Sequence, residues 1–214
     1  MKLKKIASLA LAGVMAVSML AGCSGSGAGE NGGASSGSDV VTTSSIAKAF
    51  NDGQSATNDA KVTFGTDSFL DGALAKAAAS ASANANENAV KSYVVSATGY
   101  SDTNDFYDED SQTDKTVKDG ATVTKLYVVK YNSTDNEVWS EEAAMKKAAA
   151  AADDEIAELA ATTYKKGVTT EKYFDYNYTG DVSMVTVNEY NGVVNYYIAY
   201  TITQTAAEKP VKAQ

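Results

Sequence analysis

Histidine and arginine are absent from this sequence of 214 residues, and all 18 of its basic residues are lysine. Without histidine there is no Ser-His or Cys-His nucleophile pair and no imidazole ligand for a metal. Without arginine there is no planar fork for bidentate recognition of carboxylate or phosphate. Cysteine and proline occur once each, so an internal disulfide is ruled out. The 27 acidic residues outnumber the lysines and leave a net charge of −9. That balance argues against nucleic acid, whose phosphates need a basic surface. No Gly-rich phosphate loop, Ser-x-x-Lys or Gly-x-Ser-x-Gly pattern occurs, and no cofactor is implied.

What is present begins at the N-terminus. Lys2, Lys4 and Lys5 precede a mainly apolar stretch of 15 residues from Ile6 to Leu20. A basic start, an apolar stretch of about 7–15 residues and small residues after it describe a secretory signal peptide. A retained membrane anchor needs about 20 apolar residues, and here Gly22 and Cys23 close the run.

The run ends Leu20-Ala21-Gly22-Cys23, a tetrapeptide that resembles the lipobox of bacterial lipoproteins. The resemblance covers only the signal and the cysteine. It implies that residues 1–22 are cleaved, that the Cys23 thiol carries a diacylglyceryl group, and that the mature chain sits on the outer face of the bacterial cytoplasmic membrane. Two acyl chains anchor stably where one holds only marginally. A core or disulfide role for Cys23 does not fit its Gly- and Ser-rich surroundings or the lack of a second cysteine.

From Ser24 to Ser38 there are six glycines and five serines in fifteen residues. Such a segment is a flexible tether with a reach of roughly 20 Å. The expected organisation is a lipidated Cys and tether over 23–45, one domain over 46–205 and a frayed tail over 206–214. Loss of the three signal lysines leaves 15 against 27 acids, a net charge of −12 that favours solubility and repels an anionic surface.

The pattern predicts a single α+β domain: a mainly antiparallel sheet of about five strands packed by two helices, ending in a β-meander. Ile46, Ala47, Ala49 and Phe50 suit a short helix that Asn51-Asp52-Gly53 breaks. The first main helix starts at the Thr66-Asp67-Ser68 cap and runs to about Asn86, with a stripe of Phe69, Leu70, Leu74, Ala77 and Ala81. A second, over 138–166, has a seam of Val138, Met145, Ala149, Ala152, Ile156, Leu159 and Thr163. Ser140 or Asp135 caps it, Lys165-Lys166-Gly167 close it, and Trp139 and Met145 read as core. Strands are expected near 91–100, 121–131, 172–178, 182–190 and 193–204. A turn is placed at Thr179-Gly180-Asp181, and a hairpin at Asn191-Gly192.

Candidates for chemistry are few. Seven acids crowd the segment Ser101–Gly120, and Asp108, Asp110, Gln112, Asp114 and Asp119 fall at calcium-loop positions 1, 3, 5, 7 and 12. Thr113 stands where the loop needs glycine and Asp119 where it needs glutamate, so a solvated connection is the better reading. Of 13 tyrosines, Tyr173, Tyr176, Tyr178, Tyr196, Tyr197 and Tyr200 are candidates for a binding surface wherever they are exposed, and sheet packing is the alternative. Asp153, Asp154 and Glu155 read as a solvated helix face. Asp175, between aromatic residues, is the least ordinary acid, although no acid stands in surroundings apolar enough to raise its pKa.

These features point to a membrane-anchored, non-catalytic binding or scaffold module whose partner is a protein or an envelope glycan. Two alternatives stand beside it. A solute-binding lipoprotein usually has two lobes around a cleft, for which this chain is short. A carboxylate-based envelope hydrolase needs only two suitably spaced acids.

Overall fold

Two strands of 17 residues carry the fold, β4 (Lys172–Asn188) and β5 (Val194–Pro210). They form an antiparallel hairpin with register from Lys172↔Pro210 to Asn188↔Val194. Its turn is closed by Glu189 N–H donating to Val193 O at 2.8 Å, with Gly192 at φ 82°. That positive φ is where glycine costs nothing. β3 (Thr122–Asn132) pairs antiparallel with the far side of β5. Along the free side of β4 lie β2 (Val62–Gly65), parallel to it, and the two-residue β1 (Asp39–Val40), antiparallel. The sheet is therefore mixed, in the order β1-β4-β5-β3 with β2 also on β4.

The computed structural model describes residues 39–40, 43–80, 86–135, 137–165, 172–189 and 192–210. Cleavage at 1–22, lipidation of Cys23, the Gly/Ser tether, residues 81–85 of the helix expected to run to Asn86, the Lys166-Gly167 stop, Asn191 and the last four residues lie outside them. The described residues belong to one compact unit, 36–214, and it is α+β.

Helices cover both faces of the sheet. α1 (Thr43–Asp52) and α4 (Glu141–Ala157) lie on one face, where Ile46, Phe50, Ala148, Ala152 and Ile156 share a core with Tyr176, Met184, Ile198 and Tyr200. α2 (Ser68–Ser80) and α3 (Glu87–Thr98) lie on the other, with Leu70, Leu74, Val90 and Val94 against Leu126, Val128, Val185 and Tyr197. Alternation along β5 divides it between the two cores, since Tyr196, Ile198, Tyr200 and Ile202 face α4 while Tyr197 and Ala199 face α2. Burying a side chain such as Leu70 or Leu74 stabilises the fold by about 1.5–3 kcal/mol.

Several expectations are corrected. Four α-helices, not two, accompany the sheet among the described residues. The strand expected over 91–100 is helix as far as Thr98, because Asn86 caps it by accepting from Ala89 N–H at 3.0 Å and Gly99 closes it at φ 74°. Gly180 is not a turn residue: β4 runs through it, so the expected meander is one long hairpin. The tail does not fray at residue 206, since Ala206 N–H and O both bond to the segment at 120–121 and β5 reaches Pro210. Likewise β1 and α1 begin before residue 46. α4 stops at Ala157, well short of 166, because the next residues are drawn onto β4: Tyr176 N–H donates to Thr162 O at 2.9 Å and Tyr178 OH to Ala160 O at 2.9 Å. Thr163 is accordingly outside the helix and exposed, and Phe69 is exposed on α2.

The outer edge of β2 is closed by side chains. Asn51 Oδ1 accepts from Phe64 N–H at 2.9 Å while its amide donates to Phe64 O at 2.9 Å. Gln54 does the same for Val62, at 2.9 and 2.6 Å. Two amides at the end of α1 thus take the place of a neighbouring strand and blunt an edge that would otherwise pair with another chain.

Candidate functional site

The sheet tyrosines do not form the expected surface. Tyr176, Tyr178, Tyr196, Tyr197 and Tyr200 are all buried, because helices cover both faces of the hairpin that carries them. Tyr200 stacks on Tyr127 with ring centres 4.7 Å apart, and desolvation holds both phenols well above their ordinary pKa. Tyr178 OH, bonded to Ala160 O and by Gln204 Nε2, is pushed up to about 12 by burial. Tyr173 alone of the six is half-buried, beside Tyr164 at 5.7 Å.

The acidic segment is put to structural use. Asp108 accepts from Ser111 N–H at 2.8 Å and from its hydroxyl at 2.6 Å, starting the short turn Asp110–Thr113. The Ser111 hydroxyl and amide hold the Asp108 carboxyl below the usual range. Asp114 accepts from Thr116 N–H and Asp119 from Glu208 N–H, at 2.8 and 2.9 Å. Gln112 is buried and donates to Ala161 O at 2.7 Å. Asp108 and Asp110 line an acidic hollow of about 650 Å³ at the end of α4, without Asp114 or Asp119. Among the described residues no three acids are grouped so as to hold a metal ion. Asp175 accepts from Tyr164 N–H at 3.3 Å. Asp153 accepts from Ser55 N–H at 2.8 Å and from the Asn58 amide at 2.7 Å, so it pins a loop to α4 and is not merely a solvated residue.

Two acids that the sequence did not single out stand in unusual surroundings. Asp71 on α2 and Asp181 on β4 are half-buried on the α2 side of the sheet. Desolvation raises both pKa values. For Asp71 the neighbouring Ser183 hydroxyl opposes the rise and Asp67 adds to it, while Asp67 and Asp71 both raise Asp181. Asp71 Oδ1 and the fully buried Ser183 Oγ have no well-formed hydrogen bond. A carboxyl whose folded pKa exceeds its unfolded one stabilises the fold below the unfolded value and loses that contribution as pH climbs through the folded one. Asp71→Asn is therefore expected to raise the melting temperature at pH 7 by about 1–4 °C, and to have a clearly smaller effect near pH 3, below the ordinary carboxylate range, where the acid is mostly protonated in both states. Melts at the two pH values check it; equal shifts at both would contradict the assignment.

The surface feature that stands apart is Trp139, the chain's single tryptophan, at 73% exposure. It does not join the core as expected. Val138 takes the buried position instead, and Ser140, extended at φ −152°, caps α4 by accepting from Ala143 N–H at 3.2 Å. Anchoring Val138 on one side and the cap on the other turns the indole outward. Around it lies an open hollow of about 480 Å³, flanked by the ion pairs Lys147–Glu137 (3.2 Å) and Lys146–Glu142 (2.7 Å). Across Glu142 and Lys146 a second hollow of about 440 Å³ follows the α1–α4 contact, with Met145 and Ala149 in its lining. Its form depends on close helix approach: a Cβ on Gly53 would lie 3.1 Å from the Ala149 Cβ.

Among the described residues no helix is long and apolar enough to cross a membrane. Neither family models nor curated proteins nor solved structures match this chain.

Proposed function

We propose that this chain is a lipid-anchored binding module of the bacterial cell envelope. Cys23 holds it to the outer face of the cytoplasmic membrane, and the surface around Trp139 makes the contact. One observation carries the second half: a large aromatic ring is left exposed in a chain that buries five of its six candidate sheet tyrosines. Aromatic residues at such positions are enriched at binding surfaces, where they bring contact area at low entropic cost. A non-catalytic role fits the lack of histidine and arginine. That the described residues belong to one compact unit supports a surface contact over capture between two lobes. Confinement by a tether raises the effective concentration of partners in the same envelope, so a modest contact suffices.

The test has two arms. Cells expressing the parent chain and Cys23→Ala are labelled with a clickable fatty acid; the parent labels and the variant does not. The purified chain, carrying 5-hydroxytryptophan at position 139 so that its emission is excited apart from the tryptophans of other proteins, is then mixed with detergent-solubilised envelope, and acrylamide quenching of that emission is expected to fall by half or more. Equal labelling of both chains removes the anchor, and unchanged quenching removes the binding surface.

A further inference from the structure

We propose that the occupant of the Trp139 surface is an uncharged oligosaccharide. This rests on the binding-module reading and gives that surface a ligand class. The first argument is charge. Four charged side chains line the Trp139 hollow, two acids and two lysines, and they are already paired with each other. The hollow is neutral on a chain whose net charge is −9. An anionic ligand would need unpaired cations there, and a cationic one unpaired acids.

The second argument is hydrogen bonding. Each paired ammonium keeps donors and each paired carboxylate keeps lone pairs that the partner does not use. The rim therefore offers donors and acceptors side by side, which suits a ligand whose hydroxyls do both. The indole supplies the remaining half of the match, because its electron-rich face attracts the C–H face of a pyranose ring as it attracts the positive edge of another aromatic.

The third argument is shape. Both hollows fall within the range of small-ligand sites, about 300–1,000 Å³, and they meet at Glu142 and Lys146. A chain of rings stacked first on Trp139 can continue over Met145 and Ala149. A peptide is the weaker candidate. Extended peptides bind by adding a strand to a sheet edge, whereas the walls here are the turn before α4 and the helices α1 and α4, with no strand in either lining. Nor is Trp139 set among the apolar neighbours that surround an aromatic anchor of a protein interface.

Because Trp139 is the only tryptophan, its emission reports this site alone. The full chain in a zwitterionic, sugar-free detergent is titrated with the neutral tetramers of β-1,4-linked N-acetylglucosamine and α-1,4-linked glucose. At least one is expected to shift Trp139 emission to the blue and to halve acrylamide quenching, with half-saturation below about 5 mM. Calorimetry should show the heat of binding lost in Trp139→Ala and the affinity reduced several-fold in Lys146→Ala, with both variants melting as the parent does. If neither tetramer affects Trp139 at 20 mM while solubilised envelope protein shields it, the oligosaccharide is wrong and the binding surface stands. If neither saccharide nor envelope extract shields it, both fall.

Discussion

Gly180→Ala is expected to cost the domain about 3 kcal/mol or more, beyond the usual range for one added methyl in a packed core. A Cβ at this position would lie 2.3 Å from the Thr201 carbonyl oxygen and 2.7 and 2.8 Å from two carbons of the Phe64 ring. Neither neighbour has room to withdraw. Thr201 is part of β5, and Phe64 is buried in β2, directly opposite Gly180 in the parallel pairing. The ring covers the bare backbone of the glycine, an arrangement that needs the hydrogen and excludes the methyl. With about 2–4 °C lost per kcal/mol in a domain of this size, the melting temperature should fall by roughly 6–12 °C. Gly72 is the matched control. It lies inside α2 with nothing within 4 Å of its added Cβ, so Gly72→Ala should stabilise by about 0.5–1 kcal/mol. A Gly180→Ala protein that melts with the parent would show that the backbone yields at no cost and that the β2–β4 contact is loose.

The same residue shows how the sequence misleads. Thr179-Gly180-Asp181 has turn chemistry, yet here the glycine answers a tertiary need, space for Phe64. The ladder between β4 and β5 lapses at Gly180 and Asp181, where Asp181 N–H bonds to the Thr201 hydroxyl at 3.1 Å, and resumes in unchanged register at Val182. α3 departs from its strand-like pattern for another reason. Tyr93, Val95 and Ala97 alternate as in a strand, but Val90 and Val94 are the residues buried, four apart on one helix face. The Asn86 cap and Gly99 stop were legible signals and outweighed the alternation. β2 had too few residues to announce itself, and its place depends on Asn51 and Gln54, which from the sequence look like ordinary loop amides. Other parts were legible. The one-face alternation from Val194 to Ile202, the strand over 121–131 and the Ser140 cap all follow from local rules. Trp139 was not legible, because an aromatic beside a helix start is ordinarily core, and only the burial of Val138 decides which of two adjacent residues turns inward. The raised acids Asp71 and Asp181 belong to different elements, so nothing local brings them together.

Ile156→Glu should be the more damaging of the two large changes, with a cost of about 4 kcal/mol or more. Ile156 lies in the last turn of α4 at 1% exposure, in the core shared by α1, α4 and the sheet. Of the seam expected from periodicity, α4 buries Ala149, Ala152 and Ile156, and its other buried residues, Ala144 and Ala148, are alanines as well, so α4 has few large side chains with which to hold its place. Loss of the isoleucine leaves a gap, and the carboxylate is placed in a cluster of buried apolar side chains. The negative end of the helix lies within one turn and Glu155 is the adjacent residue, so the local field opposes ionisation as well. With total stabilities of about 5–15 kcal/mol for a domain, that cost removes from about a quarter to most of the folding free energy, and the urea midpoint at pH 7 should fall in proportion. Ile156→Val separates volume from charge and should cost about 1 kcal/mol. The charge component has its own signature. A glutamate forced into the core has its folded pKa raised, so its penalty is smallest below the ordinary carboxylate range and grows as pH rises. Urea titrations at pH 4 and pH 7 should therefore place Ile156→Glu closer to Ile156→Val at the lower pH. If the gap between the two variants is the same at both, the glutamate has escaped to solvent, and the last turn of α4 is not held against the sheet as the burial of Ile156 requires.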